Sequence, residues 1–188
     1  MTSAGPVEGE HTAWDGESSA VQDLRDLLVP LAPEGALRIV LQRLALHESS
    51  RPVGEHEVLD VVADVEGNLV SVPLRGRVRE DPPLARALDE TVTRLRHDVL
   101  DSGAEGLDSL EVILDADGSQ QVRIAFGLDV TPAEAEGSPL HPAVHGGAHH
   151  ITQHAPVLDE LRDRLAGPQP GPLRRIWCTL TGRARAGS

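Results

Sequence analysis

Residues 110–128 read LEVILDADGSQQVRIAFGL, and this stretch decides the fold. Leu110, Val112 and Leu114 alternate with Glu111, Ile113 and Asp115, and Val122, Ile124, Phe126 and Leu128 alternate after Asp117-Gly118. A period of two sends successive side chains to opposite faces of a strand. The Asp-Gly pair tolerates the positive φ angles of a tight turn. The stretch therefore predicts a β-hairpin with one apolar face and Glu111 and Asp115 pointing outward on the other.

Working outward, the preceding segment predicts a helix. Asp81 before Pro82-Pro83 is a start signal, and Leu84, Leu88, Val92, Leu95 and Val99 form one apolar stripe ending before Gly103. Further upstream, β-rich runs at Leu37–His47, Val58–Val65 and Leu69–Leu74 predict three strands, the last two joined across Glu66-Gly67-Asn68. Ser18 or Ser19 caps a first helix carrying Val21, Leu24, Leu27, Leu28 and Leu31, interrupted by Pro30 and Pro33. Downstream, Val157, Leu158, Leu161 and Leu165 mark a short helix closed by Gly167, and Ile176, Trp177 and Leu180 a final apolar patch beyond a stiff Pro168–Pro172 link.

These elements describe an α+β protein of one domain. The predicted core is an antiparallel β-sheet meander with amphipathic helices packed on one face, in the order α-β-β-β-α-β-β-α-β. The domain proper spans 19–128, and a helix and short apolar strand at 156–180 complete it. Residues 1–18 lack apolar period and read as a flexible acidic tail around Trp14. Residues 129–155 lose periodicity and read as a long His/Gly/Pro-rich loop, and 181–188 as a second tail.

Composition narrows the function. The 188 residues carry 17 basic and 30 acidic side chains, a formal charge of −13, which disfavours nucleic acid as a partner. Every basic residue is arginine, so lysine-based phosphate binding and Schiff-base chemistry are excluded. Phe126, Trp14 and Trp177 are the only aromatics among Phe, Trp and Tyr, too few for a base-stacking platform. No run approaches the roughly 20 apolar residues of a membrane span, and the acidic first 20 residues do not read as a signal peptide. With Cys178 as the single cysteine, a reducing cytoplasm is the expected location.

Five of the nine histidines, His141, His145, His149, His150 and His154, fall in the aperiodic segment. Steps of four place ligands on one helical face, and imidazole suits zinc. Pro142, Gly146 and Gly147 argue against a regular helix there, so the segment is read as a solvated loop with no metal and no cofactor. His47-Glu48 and His56-Glu57 begin like a zincin helix, but Arg51 and Asp60 stand where the second histidine belongs. Cys178 reads as a small core hydrophobe.

Three features carry a resemblance to a known family. A first helix leads to a strand at Leu37–Leu46 and a hairpin at Val58–Leu74. A long helix is followed by Ser109, Leu110, Leu114, Asp117 and Gly118, and then by a strand ending in Phe126 and Asp129. The run Arg174, Arg175, Ile176 and Trp177 lies near the end. Over residues 20–130 and 173–180 the chain resembles the YezG-like antitoxin family, immunity proteins paired with secreted bacterial toxins. It departs from the family at Leu107 and Asp108, where a tryptophan is common, at Leu128, and in the longer 130–172 stretch.

The resemblance implies a non-enzymatic protein that binds and neutralises a cognate toxin, a nuclease being the natural match for this charge. Residues 97–136 hold ten acids and one arginine, net −9, whereas 161–188 hold six arginines and one acid, net +5. Glu105, Asp108, Glu111, Asp115 and Asp117 are the expected contacts, with Trp14 and Trp177 as aromatic anchors. The alternatives are a cytoplasmic chaperone or adaptor for a secreted substrate, and a metal-dependent hydrolase centred on 141–154.

Overall fold

The computed structural model describes residues 10–167. In chain order these form β1 (Thr12–Ala13), α1 (Ser19–Leu28), β2 (Ala36–Glu48), β3 (Arg51–Val65) and β4 (Asn68–Pro73). Then come α2 (Arg75–Arg79), α3 (Pro82–Asp101), β5 (Leu107–Asp115), β6 (Gln120–Phe126), α4 (Pro132–Ala135), α5 (Gly147–Gln153) and α6 (Ala155–Ala166). The class is α+β, with six antiparallel strands in the order β1-β6-β5-β2-β3-β4.

Local signals place the elements. The Ser18 hydroxyl accepts from the Ala20 amide at 3.1 Å, and the Asp81 carboxylate from the Leu84 amide at 3.1 Å, so both long helices start on a side-chain cap. Gly118 turns the β5–β6 hairpin at φ 96°. β2 occupies the middle of the sheet, where Leu41 lies opposite Leu59 of β3 on one side and Val112 of β5 on the other.

Alternation along these strands then separates two interiors. One face buries Ile39, Leu41, Leu59, Val61, Leu110, Val112, Leu114, Val122 and Ile124 against Leu24 and Leu28 of α1 and Leu88, Leu95 and Val99 of α3. The opposite face is also covered. Leu44, Val58 and Ala125 pack there with Leu128, Val130, Ala135, Ala143 and Val144. The helices expected on one face are thus α1 and α3, and the segment from 128 to 166 adds a third layer on the other.

Two expectations are corrected. Thr12 and Ala13, placed in the flexible tail, pair with Ile124 and Arg123 as an edge strand. A barely apolar segment gains order here because the sheet edge supplies hydrogen-bond partners that no periodicity reveals. The expected loop at 129–155 contains α4 and α5 and buries Val130, Ala135, Ala143, Val144, His145 and His150, the last with no exposed surface. It lies on a sheet face rather than in solvent because that face carries apolar and polar groups needing cover. Residues 12–13 and 129–155 thus join the expected 19–128 and the helix that follows in one fold. The tails at 1–9 and 181–188, the Pro168–Pro172 link, the strand around Ile176, Trp177 and Leu180, and Cys178 lie outside the described residues.

Packing predicts a contrast within α3. Leu95 has no exposed surface and Leu100 is 37% exposed. Leu95→Ala should lower unfolding free energy by about 2–5 kcal/mol in urea titrations, whereas Leu100→Ala should cost below about 1 kcal/mol. Equal costs would mean that α3 does not bury this stripe.

Candidate functional site

The polar groups of the second layer converge because alternate residues of three adjacent strands share that face. β2 supplies Arg38 and Gln42, β5 supplies Ser109, Glu111 and Asp115, and β6 supplies Arg123. Residues 141–154 close over them. The Gly146-Gly147 pair permits this approach: the Gly147 amide donates to Asp60 Oδ2 at 2.8 Å, and an added Cβ at Gly147 would collide with the Ser71 side chain. α5 then begins directly on β3 and β4, which brings His149 and His150 over the sheet.

Glu111 is the centre, with a side chain of no exposed surface. Its Oε1 accepts from His145 Nδ1 at 3.1 Å and from His150 Nε2 at 2.9 Å, and its Oε2 from Arg123 at 3.2 Å. Arg38, which can only donate, approaches His150 Nδ1 at 3.3 Å, so the His150 proton sits on Nε2 and points to Glu111. Arg38 also forks onto Asp115 at 2.7 and 2.9 Å. Gln42 binds the covering segment through both ends of its amide, donating to the Ala143 carbonyl at 2.7 Å and accepting from the His145 amide at 2.8 Å. Its nitrogen also donates to Ser109 Oγ at 3.0 Å, and Ser109 Oγ in turn meets His11 Nε2 at 2.8 Å.

Imidazoles crowd the mouth of this layer. His145 lies 4.0 Å from His11 between ring centroids and stacks on His149, also at 4.0 Å. The rings of His11, His141, His145, His149 and His154 line an open cleft of about 840 Å³ together with Arg123 and Asp129. Burial, reinforced by neighbouring His145, lowers the pKa of His11 to about 4. Burial and the charges of His145 and His150 lower His149 to about 4 as well. Burial followed by His150 lowers His154. For Glu111 burial acts in the opposite sense, but the hydrogen bonds from His145 and His150 outweigh it and hold the carboxyl below its ordinary range.

The expected contact residues scatter. Glu111 is a correction: predicted to face outward, it lies opposite Leu110, Val112 and Leu114 as the alternation requires, but that face is inside the protein. Asp115 is only partly exposed and is held by Arg38. Asp108 accepts from the Leu128 amide at 3.0 Å and lies 3.7 Å from His47. Asp117, at the hairpin turn, accepts from Ser119 and from Arg164 at 2.8 Å. Glu105 is exposed after α3. Trp14 is half-buried against the first-face core, and its indole donates to Ser102 Oγ at 3.0 Å. Trp177, Arg174 and Arg175 lie outside the described residues.

Sequence reasoning missed His11, Arg38, Gln42, Ser109 and Arg123. For Arg38 and Gln42 a signal existed, since they share a strand face with Val40 and Leu44. His11, alone in an aperiodic segment, had none. No protein-family model matches the chain, and no curated protein matches it.

Two outcomes follow from the buried network. Glu111→Ala strands His145, His150 and Arg123 without their acceptor and should cost about 3–5 kcal/mol, whereas Glu105→Ala should stay within about 0.5 kcal/mol, both read from urea midpoints.

The second concerns pH. The unfolded chain protonates His11 and His149 near 6.5, the folded protein near 4, so the unfolded state binds more protons between these values. The depressed Glu111 adds stability that is lost as pH falls below its unfolded value of 4.5. Stability should be full above about pH 6.5 and decline continuously toward pH 4 and below. A urea midpoint that stays level from pH 7 to pH 4 would contradict this coupling.

Proposed function

We propose that this chain is a non-catalytic inhibitor that binds a cognate protein toxin and neutralises it by covering a basic cleft. One observation supports the reading most. The indole bond from Trp14 to Ser102 brings two acidic segments together at the end of α3. Asp15 and Glu17 flank Trp14 on one side, and Asp101 and Glu105 flank Ser102 on the other, all four exposed. Ser18 bonds to Asp98 at the same place. A groove of about 490 Å³ runs from Trp14 past Val21 to Gln120, Gln121 and Val122.

An aromatic anchor ringed by exposed acids suits a basic protein surface. The tryptophan supplies desolvated contact area, and the charges speed encounter and reject acidic partners. Docking at this end differs from the full hairpin face suggested by sequence, because Glu111, Asp115 and Asp117 already have internal partners. Glu105 and Trp14 remain from the expected set. An overall charge of −13 adds long-range attraction for such a partner.

The test is capture of the partner from native cells with the full chain, followed by assay of whether the captured protein's toxicity and activity are suppressed. Suppression that Asp15→Arg/Glu105→Arg weakens should appear, with association slowed about tenfold at low salt and less so as ionic strength rises. A captured partner that the chain does not inhibit, or inhibition indifferent to the double reversal and to salt, would overturn the proposal.

A further inference from the structure

In and beneath the histidine cleft lies a set of groups that the proposed toxin-binding surface does not use. His11, Glu111 and His145 each offer a ligand atom, and these atoms lie within 4.8 Å of one another. They come from three separate elements: the segment entering β1, the central strand β5, and the covering segment before α5. We propose that His11, Glu111 and His145 bind one divalent transition-metal ion of the zinc class, entering through the cleft. This inference is independent of the toxin-binding reading, which concerns the Trp14 end of the molecule.

Donor chemistry sets the ion class. Two imidazoles and one carboxylate form a borderline donor set that suits Zn²⁺, Co²⁺, Ni²⁺ or Fe²⁺ and disfavours Ca²⁺ and Mg²⁺, which prefer all-oxygen shells. Spacing fits as well. His145 Nδ1 and Glu111 Oε1 are 3.1 Å apart, close to the edge between two ligands that each hold an ion at roughly 2.0–2.2 Å. That edge now carries a hydrogen bond, so an ion would replace one shared proton.

Supporting partners for the ligands are in place. Arg123 and His150 hydrogen-bond the Glu111 carboxylate and keep it anionic and oriented, while Ser109 fixes one nitrogen of His11. Such outer hydrogen bonds orient metal ligands and tune their basicity. His11 and His145 both line the open cleft, which supplies the entry path.

The rival is a purely internal hydrogen-bond network with surface histidines that collect metal indiscriminately. Calorimetric titration of the untagged, chelator-stripped full chain with Zn²⁺ separates the two, repeated with Co²⁺ to read visible d–d bands. One ion per chain should bind, and added Zn²⁺ should raise the melting temperature. His11→Ala and His145→Ala, each checked for folding by circular dichroism, should weaken binding at least tenfold and alter the Co²⁺ bands. His141→Ala and His154→Ala, at the cleft's outer positions, should change affinity by less than about threefold. If His145→Ala unfolds, His11→Gln carries the same test from outside the covering segment. Absence of a stoichiometric site, or equal losses in all the histidine variants, would overturn the proposal.

Discussion

A carboxylate with no exposed surface on the strand beside the sheet's centre constrains everything on the second face. Glu111 sits on β5 between β2 and β6, and an ionised carboxylate there would be prohibitively unstable without donors. Donors arrive from three directions: Arg123 across the hairpin, His145 from the extended segment, and His150 from α5. The same Arg123 also donates to the His11 carbonyl at 3.1 Å, which ties β1 to the network. One buried anion thus ties together a hairpin, an edge strand and a covering segment, the last two of which carry little hydrophobic period of their own.

The two interiors of the sheet differ in kind. Between the sheet and α1 and α3 the contacts are aliphatic, and stability comes from area removed from water. Between the sheet and residues 128–154 a small apolar cluster around Leu44 and Val144 borders a polar layer. Such a layer rigidifies only when each member is satisfied, and Gln42 shows how closely that is met, with three hydrogen bonds between 2.7 and 3.0 Å. β1 joins the two interiors. Its flanking His11 enters the polar layer, while Trp14 packs on the aliphatic core.

Charge is distributed by the same logic. The acidic excess of residues 97–136 looks like a single surface in the sequence, but Glu111, Asp115, Asp108 and Asp117 each meet an internal donor. Of those left open to solvent, Asp101 and Glu105 lie beside Trp14 at the end of α3, while Asp129, Glu134 and Glu136 lie with the covering segment. Two chemically distinct regions therefore exist on one small molecule, an acidic surface beside Trp14 and a cleft lined by imidazoles. Among the described residues no helix is long and apolar enough to cross a membrane.

Local rules made much of the fold legible. Period-two alternation at 110–126, the Asp81 cap before Pro82-Pro83, the Ser18 cap and the helical stripe of α3 are decided by neighbours a few residues apart, and each element formed where its pattern stood, whereas Leu128, expected to continue the hairpin's apolar face, lies past the end of β6 and packs on the other face. Tertiary structure alone decided which face of the sheet met solvent. Alternation records that Glu111 points away from Leu110 and Val112, but an outward residue becomes an inward one once another segment covers that face. That covering depends on hydrogen bonds between residues 34 to 103 positions apart, as in His145 with Glu111 and with Gln42, and no local period encodes them. Ile113, 5% exposed, and Ala125, with no exposed surface, were the strand residues of the hairpin on the supposedly polar side whose apolar character already pointed to the cover.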